Sequence, residues 1–312
     1  MKPLAVLLIT FAFVFQSTAQ NENQSSMQDW QYPYSIQKMT VSDSIEIAYA
    51  DQGKGNCTLL FLHGLGSNLK AWQKNMEALK KDYRCIAVDL PGYGKSSKGD
   101  YPFDMTFFAT TIRAFIDKMK LKKVILVGHS MGGQIAVHTF LNDDTAIEKL
   151  ILIAPAGFET FSQQEKKWLK NITTPTVIKA TPESQIIKNF HLNFNSFPDD
   201  AQFMIDDRLW MRKTIEYDHY TNMIPKCVMG MLNEPIFNRL AEIEVSTLVI
   251  FGVQDLLIPN KLLHPTLTTA KVAQSGAEAI PKSSLKMIPL AGHFVQWEQS
   301  QQVNKEIEAF LK

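Results

Sequence analysis

Apolar positions along this chain follow two periods, and their alternation predicts the architecture. Short unbroken apolar runs occur at Thr58-Leu59-Leu60-Phe61-Leu62, Cys85-Ile86-Ala87-Val88, Val124-Ile125-Leu126-Val127, Leu150-Ile151-Leu152-Ile153 and Thr247-Leu248-Val249-Ile250-Phe251, and Leu285-Lys286-Met287-Ile288 continues the series with one lysine in it. Runs this short, rich in β-branched residues, read as strands buried on both faces. Between them apolar residues recur at helical spacing: Trp72, Met76 and Leu79, then Phe108, Ile112, Phe115, Ile116 and Met119. A last helix buries Val303, Ile307, Phe310 and Leu311 on one face. Strands alternating with helices predict a mostly parallel sheet covered on both sides. Two earlier segments, Ile36 to Val41 and Ile45 to Tyr49, are amphipathic, and the alternation of the second predicts a half-exposed strand.

From Pro155 to about Ala241 the alternation stops, and Phe, Trp and Met appear among polar breaks. This stretch predicts a helical cap over residues 155–241, inserted into a core made of 36–154 and 242–312. The N-terminus is different in kind. Lys2, the apolar run Leu4 to Phe15 and the small residues Ser17-Thr18-Ala19 predict a signal peptide over 1–19, and with it a secreted or periplasmic protein. The apolar run is shorter than the ~20 residues needed to span a bilayer, so no stable membrane span is expected. Polar residues without periodicity follow, and 20–35 is expected to be a disordered tail.

Charge adds little: 32 basic residues against 31 acidic ones, with no long basic run, points away from nucleic acid and anionic membranes. Three cysteines, Cys57, Cys85 and Cys227, have no metal-ligand spacing and do not make a disulfide scaffold.

The candidate chemistry centres on Gly128-His129-Ser130-Met131-Gly132. A buried strand precedes this run and a helical pattern follows it, the context in which Gly-x-Ser-x-Gly forms a nucleophile elbow. The turn strains the serine backbone, and the glycines let strand and helix approach closely. A serine hydroxyl needs a base, and the base needs an acid to fix its tautomer. Among seven histidines, His293 follows the last predicted strand in Ala291-Gly292-His293-Phe294, where it can reach Ser130. Asp255 lies in the turn after Thr247–Phe251 and is the candidate acid. Its competitor Asp89, in Asp89-Leu90-Pro91-Gly92-Tyr93-Gly94, reads as a turn-holding residue. The oxyanion of an acyl transfer would take the backbone N–H groups of Met131 and Leu65, the latter in His63-Gly64-Leu65-Gly66, with His63 bracing that loop.

With these motifs the chain resembles the α/β-hydrolase superfamily over its mature length, in the branch of cap-bearing serine hydrolases and esterases. The order Ser130, Asp255, His293 is that superfamily's order. The resemblance implies the α/β-hydrolase fold, a Ser-His-Asp triad, an acyl-enzyme, a small-molecule substrate and no metal or cofactor. It implies a carboxylesterase on small or medium hydrophobic esters first. Carbon–carbon hydrolases of the meta-cleavage-product type are the alternative, although Arg208-Leu209-Trp210 only approximates their cap Arg–Trp pair and His129 replaces their Asn. A binding protein on the same fold with lapsed activity is the reading from another class. Trp168, Phe190, Phe194 and Trp210 in the cap are candidates to line the substrate pocket.

Overall fold

A computed structural model describes residues 25–143 and 145–312, so the expected signal peptide lies outside the described residues. The strands are β1 (Gln37–Ser42), β2 (Ile45–Gln52), β3 (Thr58–Leu62), β4 (Arg84–Val88), β5 (Val124–His129), β6 (Ile147–Ile153), β7 (Ser246–Gly252) and β8 (Ser283–Ile288). They form one sheet in the order β1-β2-β4-β3-β5-β6-β7-β8. β2 is antiparallel to β1 and β4, and every other pairing is parallel. The helices are α1 (Gln73–Leu79), α2 (Met105–Lys118), α3 (Met131–Asn142), α4 (Gln163–Ile172), α5 (Pro175–Ala180), α6 (Glu183–His191), α7 (Gln202–Met211), α8 (Tyr217–Asn233), α9 (Thr269–Glu278), α10 (Val295–Glu298) and α11 (Ser300–Leu311). α4 to α8 all fall between β6 and β7, so the inserted stretch is helical. Among the described residues no helix is long and apolar enough to cross a membrane.

The two-residue period of a strand sends alternate side chains to opposite faces, and the core divides accordingly. Leu60 and Leu62 of β3 join Phe108 and Phe115 of α2 and Ile135 of α3. Leu59 and Phe61 of the same strand join Trp72, Met76 of α1, and Val303 and Ile307 of α11. Because both faces are covered, the reactive positions are left to the loops at the carboxyl ends of the strands.

The tail expectation needs correction from Ser25 onward. Met27 and Trp30 are buried, and Ser26 Oγ donates to Glu216 Oε1 at 2.5 Å. Trp30 packs on Trp210 of α7 with ring centroids 6.1 Å apart, and the Tyr32 hydroxyl donates to Asp89 Oδ2 at 2.7 Å. The segment is ordered by these large side chains, which bury between cap and core without forming the regular element that a periodicity would reveal.

Asp89 holds the loop after β4. It is fully buried and accepts from the backbone N–H groups of Leu69 (2.9 Å) and Lys95 (2.8 Å) as well as from Tyr32. Asp89→Ala strands three donors, the N–H groups of Leu69 and Lys95 and the Tyr32 hydroxyl, and urea unfolding should show a loss of about 3 kcal/mol. Tyr32→Phe, which removes a single bond, should cost about 1 kcal/mol in the same measurement.

Candidate active site

Ser130 stands between β5 and α3 with φ 54° and ψ −120°, a left-handed backbone that costs a non-glycine residue roughly 1–3 kcal/mol. The surrounding backbone holds it there. Ser130 N–H donates to Ile153 O (2.9 Å), and Ser130 O accepts from Gly133 (2.9 Å) and Ala156 (3.0 Å). The two motif glycines are required by contact: a Cβ on Gly128 would lie 2.3 Å from Gly132 O, and one on Gly132 would lie 2.2 Å from Leu62 O.

His293 and Asp255 meet. His293 Nδ1–H donates to Asp255 Oδ2 at 2.8 Å, and both residues are buried. The second oxygen of Asp255 accepts from the N–H groups of Leu257 (2.8 Å) and Ile258 (3.0 Å), so the carboxylate is fixed on both sides. Nδ1 is thereby committed to Asp255, leaving Nε2 as the remaining nitrogen of the ring. Ser130 and His293 line one cavity of about 460 Å³, although among the described residues no hydrogen bond joins Ser130 Oγ to the ring. Such bonds are commonly long before substrate binds.

The loop expected to supply an oxyanion donor follows β3. His63 is buried, donates from Nδ1 to Gly64 O (2.8 Å) and accepts at Nε2 from Leu90 N–H (3.1 Å). Burial holds its pKa below the ordinary histidine range, so the ring is a neutral brace between the loops after β3 and β4. Among the described residues, no protein acceptor takes the N–H of Leu65 or of Met131. Leu65 lines the Ser130 cavity and also a second cavity of about 290 Å³ that contains Arg208, Asp207 and Phe190.

The four aromatic pocket candidates fall elsewhere. Phe190 lines the second cavity, beside the Arg208 guanidinium at 5.3 Å. Trp168, Phe194 and Trp210 line neither cavity. Trp168 is 38% exposed on a helix with no buried residue, Phe194 stacks on Phe294 at 5.4 Å, and Trp210 is taken up by Trp30. Phe194 and Trp210 are spent on contacts between the cap and its neighbours, the base loop and the N-terminal segment. The Ser130 cavity is lined instead by Gln134, Phe161, Leu169, Met231, Phe237 and Leu257, among others. Only Gln134 carried a sequence signal, since it stands one helical turn after Ser130 on the same face. Its amide donates to Met231 O (3.0 Å) and Glu234 O (2.9 Å), anchoring the end of α8.

One further cluster joins cap to core at the cavity wall. His264, in the loop between β7 and α9, bonds through Nδ1 to Glu159 and through Nε2 to Glu165 of α4 at 3.1 Å. Partial burial opposes a charge on His264, but Glu159 and then Glu165 more than offset it and raise its pKa. All three cysteines are free thiols; burial pushes Cys85 and Cys227 up to about 12. Among the described residues no three His, Cys, Asp or Glu side chains come together as a metal site.

A model of the alpha/beta hydrolase fold family matches residues 58–300. The chain is 27% identical over 266 residues to a dihydrolipoyllysine-residue acetyltransferase component of an acetoin cleaving system from Pseudomonas putida, covering 83% of this chain and 65% of that protein. It thus spans a little under two thirds of that relative. It is 26% identical over 285 residues to 2-hydroxy-6-oxononadienedioate/2-hydroxy-6-oxononatrienedioate hydrolase 2 from Pseudomonas putida, covering 86% of this chain and 92% of the other. Among solved structures, a probable hydrolytic enzyme from Pseudomonas aeruginosa PAO1 superposes with TM-score 0.80 at 21% identity, covering 92% and 98% of the two chains. An esterase from Exiguobacterium antarcticum does so with TM-score 0.73 at 23% identity, covering 88% and 98%. At these identities the two structures report the shared fold.

The His264 contacts make the cap's attachment sensitive to pH. A histidine whose folded pKa is raised contributes stability that is complete below its unfolded value of 6.5 and is lost as pH rises through the folded value. The melting temperature should therefore fall as pH is raised from 6 through the range above 6.5. His264→Ala should flatten that dependence.

Proposed function

Because the chain belongs to the alpha/beta hydrolase fold family, we propose that it is a serine hydrolase acting on carboxylic esters with small or medium apolar groups. The observation that carries this reading is the placement of Ser130 and His293 on one largely apolar cavity, with Asp255 bonded to the far side of the imidazole. Ser130 Oγ attacks the ester carbonyl while His293 Nε2 takes its proton, and Asp255 stabilises the imidazolium. The N–H groups of Met131 and Leu65 receive the oxyanion, each worth about 10²–10³ in rate. His293 then protonates the leaving alcohol, and a water activated by the same ring releases the acid from Ser130. No step needs a metal or cofactor. Residues 1–19 address the protein for export.

One observation favours a second reading. Arg208 lies in the cavity across Leu65 from Ser130, and a guanidinium there suits a substrate that also carries a carboxylate. The relative named for a dienedioate substrate fits that chemistry, so hydrolysis of a carbon–carbon bond in a vinylogous diketo acid is the alternative.

A fluorophosphonate probe should label the wild type at Ser130, and short p-nitrophenyl esters should be turned over. Ser130→Ala should abolish labelling and lower kcat by about 10⁶, and Asp255→Asn by about 10⁴. Folded wild type that is neither labelled nor active on esters overturns the proposal. Faster turnover of a vinylogous diketo acid than of any ester selects the alternative.

A further inference from the structure

The residue before the candidate nucleophile makes contacts that its neighbours' roles do not explain. His129 is buried, and its Nε2 lies 2.9 Å from the main-chain oxygen of His293. A carbonyl only accepts, so the ring carries its proton on Nε2 and donates it. Nδ1 is then a bare acceptor, buried and without a hydrogen-bond partner among the described residues. That edge of the ring faces the oxyanion loop, since a Cβ on Gly64 would lie 3.1 Å from it. The ring packs on His293 at 4.8 Å and on Phe294 at 4.7 Å, with Trp72 edge-on at 6.5 Å. One side chain at the end of β5 therefore touches both the loop of the base and the loop of the oxyanion donor.

We propose that His129 is a positioning residue that ties the base-bearing loop to the strand of the nucleophile; the inference rests on the hydrolase reading above. Two residues before the base, Ala291 is tied to the acid's loop, donating to Gln254 Oε1 (3.2 Å) and accepting from Gln254 N–H (2.9 Å); the main-chain ties on either side of His293 lead to the cap. Phe294 N–H donates to Asn193 O (3.0 Å), and Gly292 N–H donates to Glu298 Oε2 (2.8 Å). Glu298 also accepts from Asn195 (3.0 Å) and Ser196 (2.6 Å), which belong to the cap. Asp255 references the imidazole to the acid's loop, and among these ties it is His129 that references the backbone of His293 to the strand of Ser130. Charge supports the same role. Burial and then the adjacent His293 hold the pKa of His129 well below the ordinary range. It stays neutral and adds no repulsion when the imidazolium forms beside it.

The test compares His129→Gln, whose amide can reach the same carbonyl, with His129→Phe, which fills the space without a donor, and His129→Asn, whose amide is too short. Steady-state kinetics on p-nitrophenyl butyrate, the rate of fluorophosphonate labelling and melting temperature are measured for each. The Phe and Asn variants should lose about 10- to 100-fold in kcat with KM within about twofold, because misplacement by about 1 Å costs that much. His129→Gln should return to within about threefold of wild type, both well below the variants' melting temperatures. Undiminished kcat in the Phe or Asn variant overturns the proposal, as does equal impairment of the Gln variant, which marks a packing role. An unreactive, folded wild type overturns the hydrolase reading and this inference together.

Discussion

The site depends on how closely α3 approaches the sheet. Gly132 lies so near the carbonyl of Leu62 that no side chain fits between them, and Gly128 lies equally near Gly132. That contact fixes the strained backbone of Ser130 and aims the first N–H of α3. The touching carbonyls on the other side are those of Leu62 and His63, so it also sets where the oxyanion loop begins. A second contact of the same kind lies across the sheet, where a Cβ on Gly252 would meet Gly292 O at 2.2 Å. The exit of the acid's strand is thus pressed against the loop of the base. Two glycine contacts thus join two pairs of segments at one rim, the turn of Ser130 with the loop after β3 and the exit of β7 with the loop of His293, and the strain at Ser130 is offset by the packing of the sheet.

The cap is bound to that rim through the reacting loops themselves. On α7, Arg208 donates to Gly66 O (2.5 Å) and Asp207 pairs with Lys70, two consecutive residues gripping the segment that contains Leu65. Lys70 is nearly buried and stands 5.5 Å, 5.5 Å and 5.1 Å from the rings of Trp30, Tyr32 and Phe203, so a cage of aromatics shares the desolvation of its charge. The net worth of such a pair is small once desolvation is counted, and its value is in specifying one arrangement of cap on core. Glu298 does the same for the base loop by binding Gly292 together with the cap turn at Asn195 and Ser196. Cap position therefore enters the geometry of the oxyanion and base loops directly.

What could be read in the chain beforehand was set by period and by strand ends. Among the described residues, each short apolar run named above became a strand, because a sheet covered on both faces has little polar side to disguise it. Ser130, Asp255 and His293 were legible because each follows such a run in a loop. The cavity wall was not. Phe161 and Leu257 stand in loops between elements and Phe237 opens a short 3-10 helix, where no repeat marks a direction, and Phe194, Phe197 and Phe203 of the cap are spent on one another and on Phe294 and Trp297. Trp30 and Met27 escaped for a related reason: two apolar residues in a polar stretch are too few to show a period, yet they suffice to dock it. The role of His129 was hidden because its partner is a main-chain carbonyl 164 positions away.

Leu65 forms part of the wall of both cavities, with its amide among the groups of one loop and its side chain between two rooms. The amide belongs to the main chain and is indifferent to what hangs from Cα. A smaller or larger side chain at this position would therefore reshape a wall that Leu65 shares with Asn193 and Phe294, while leaving the proposed donor in place.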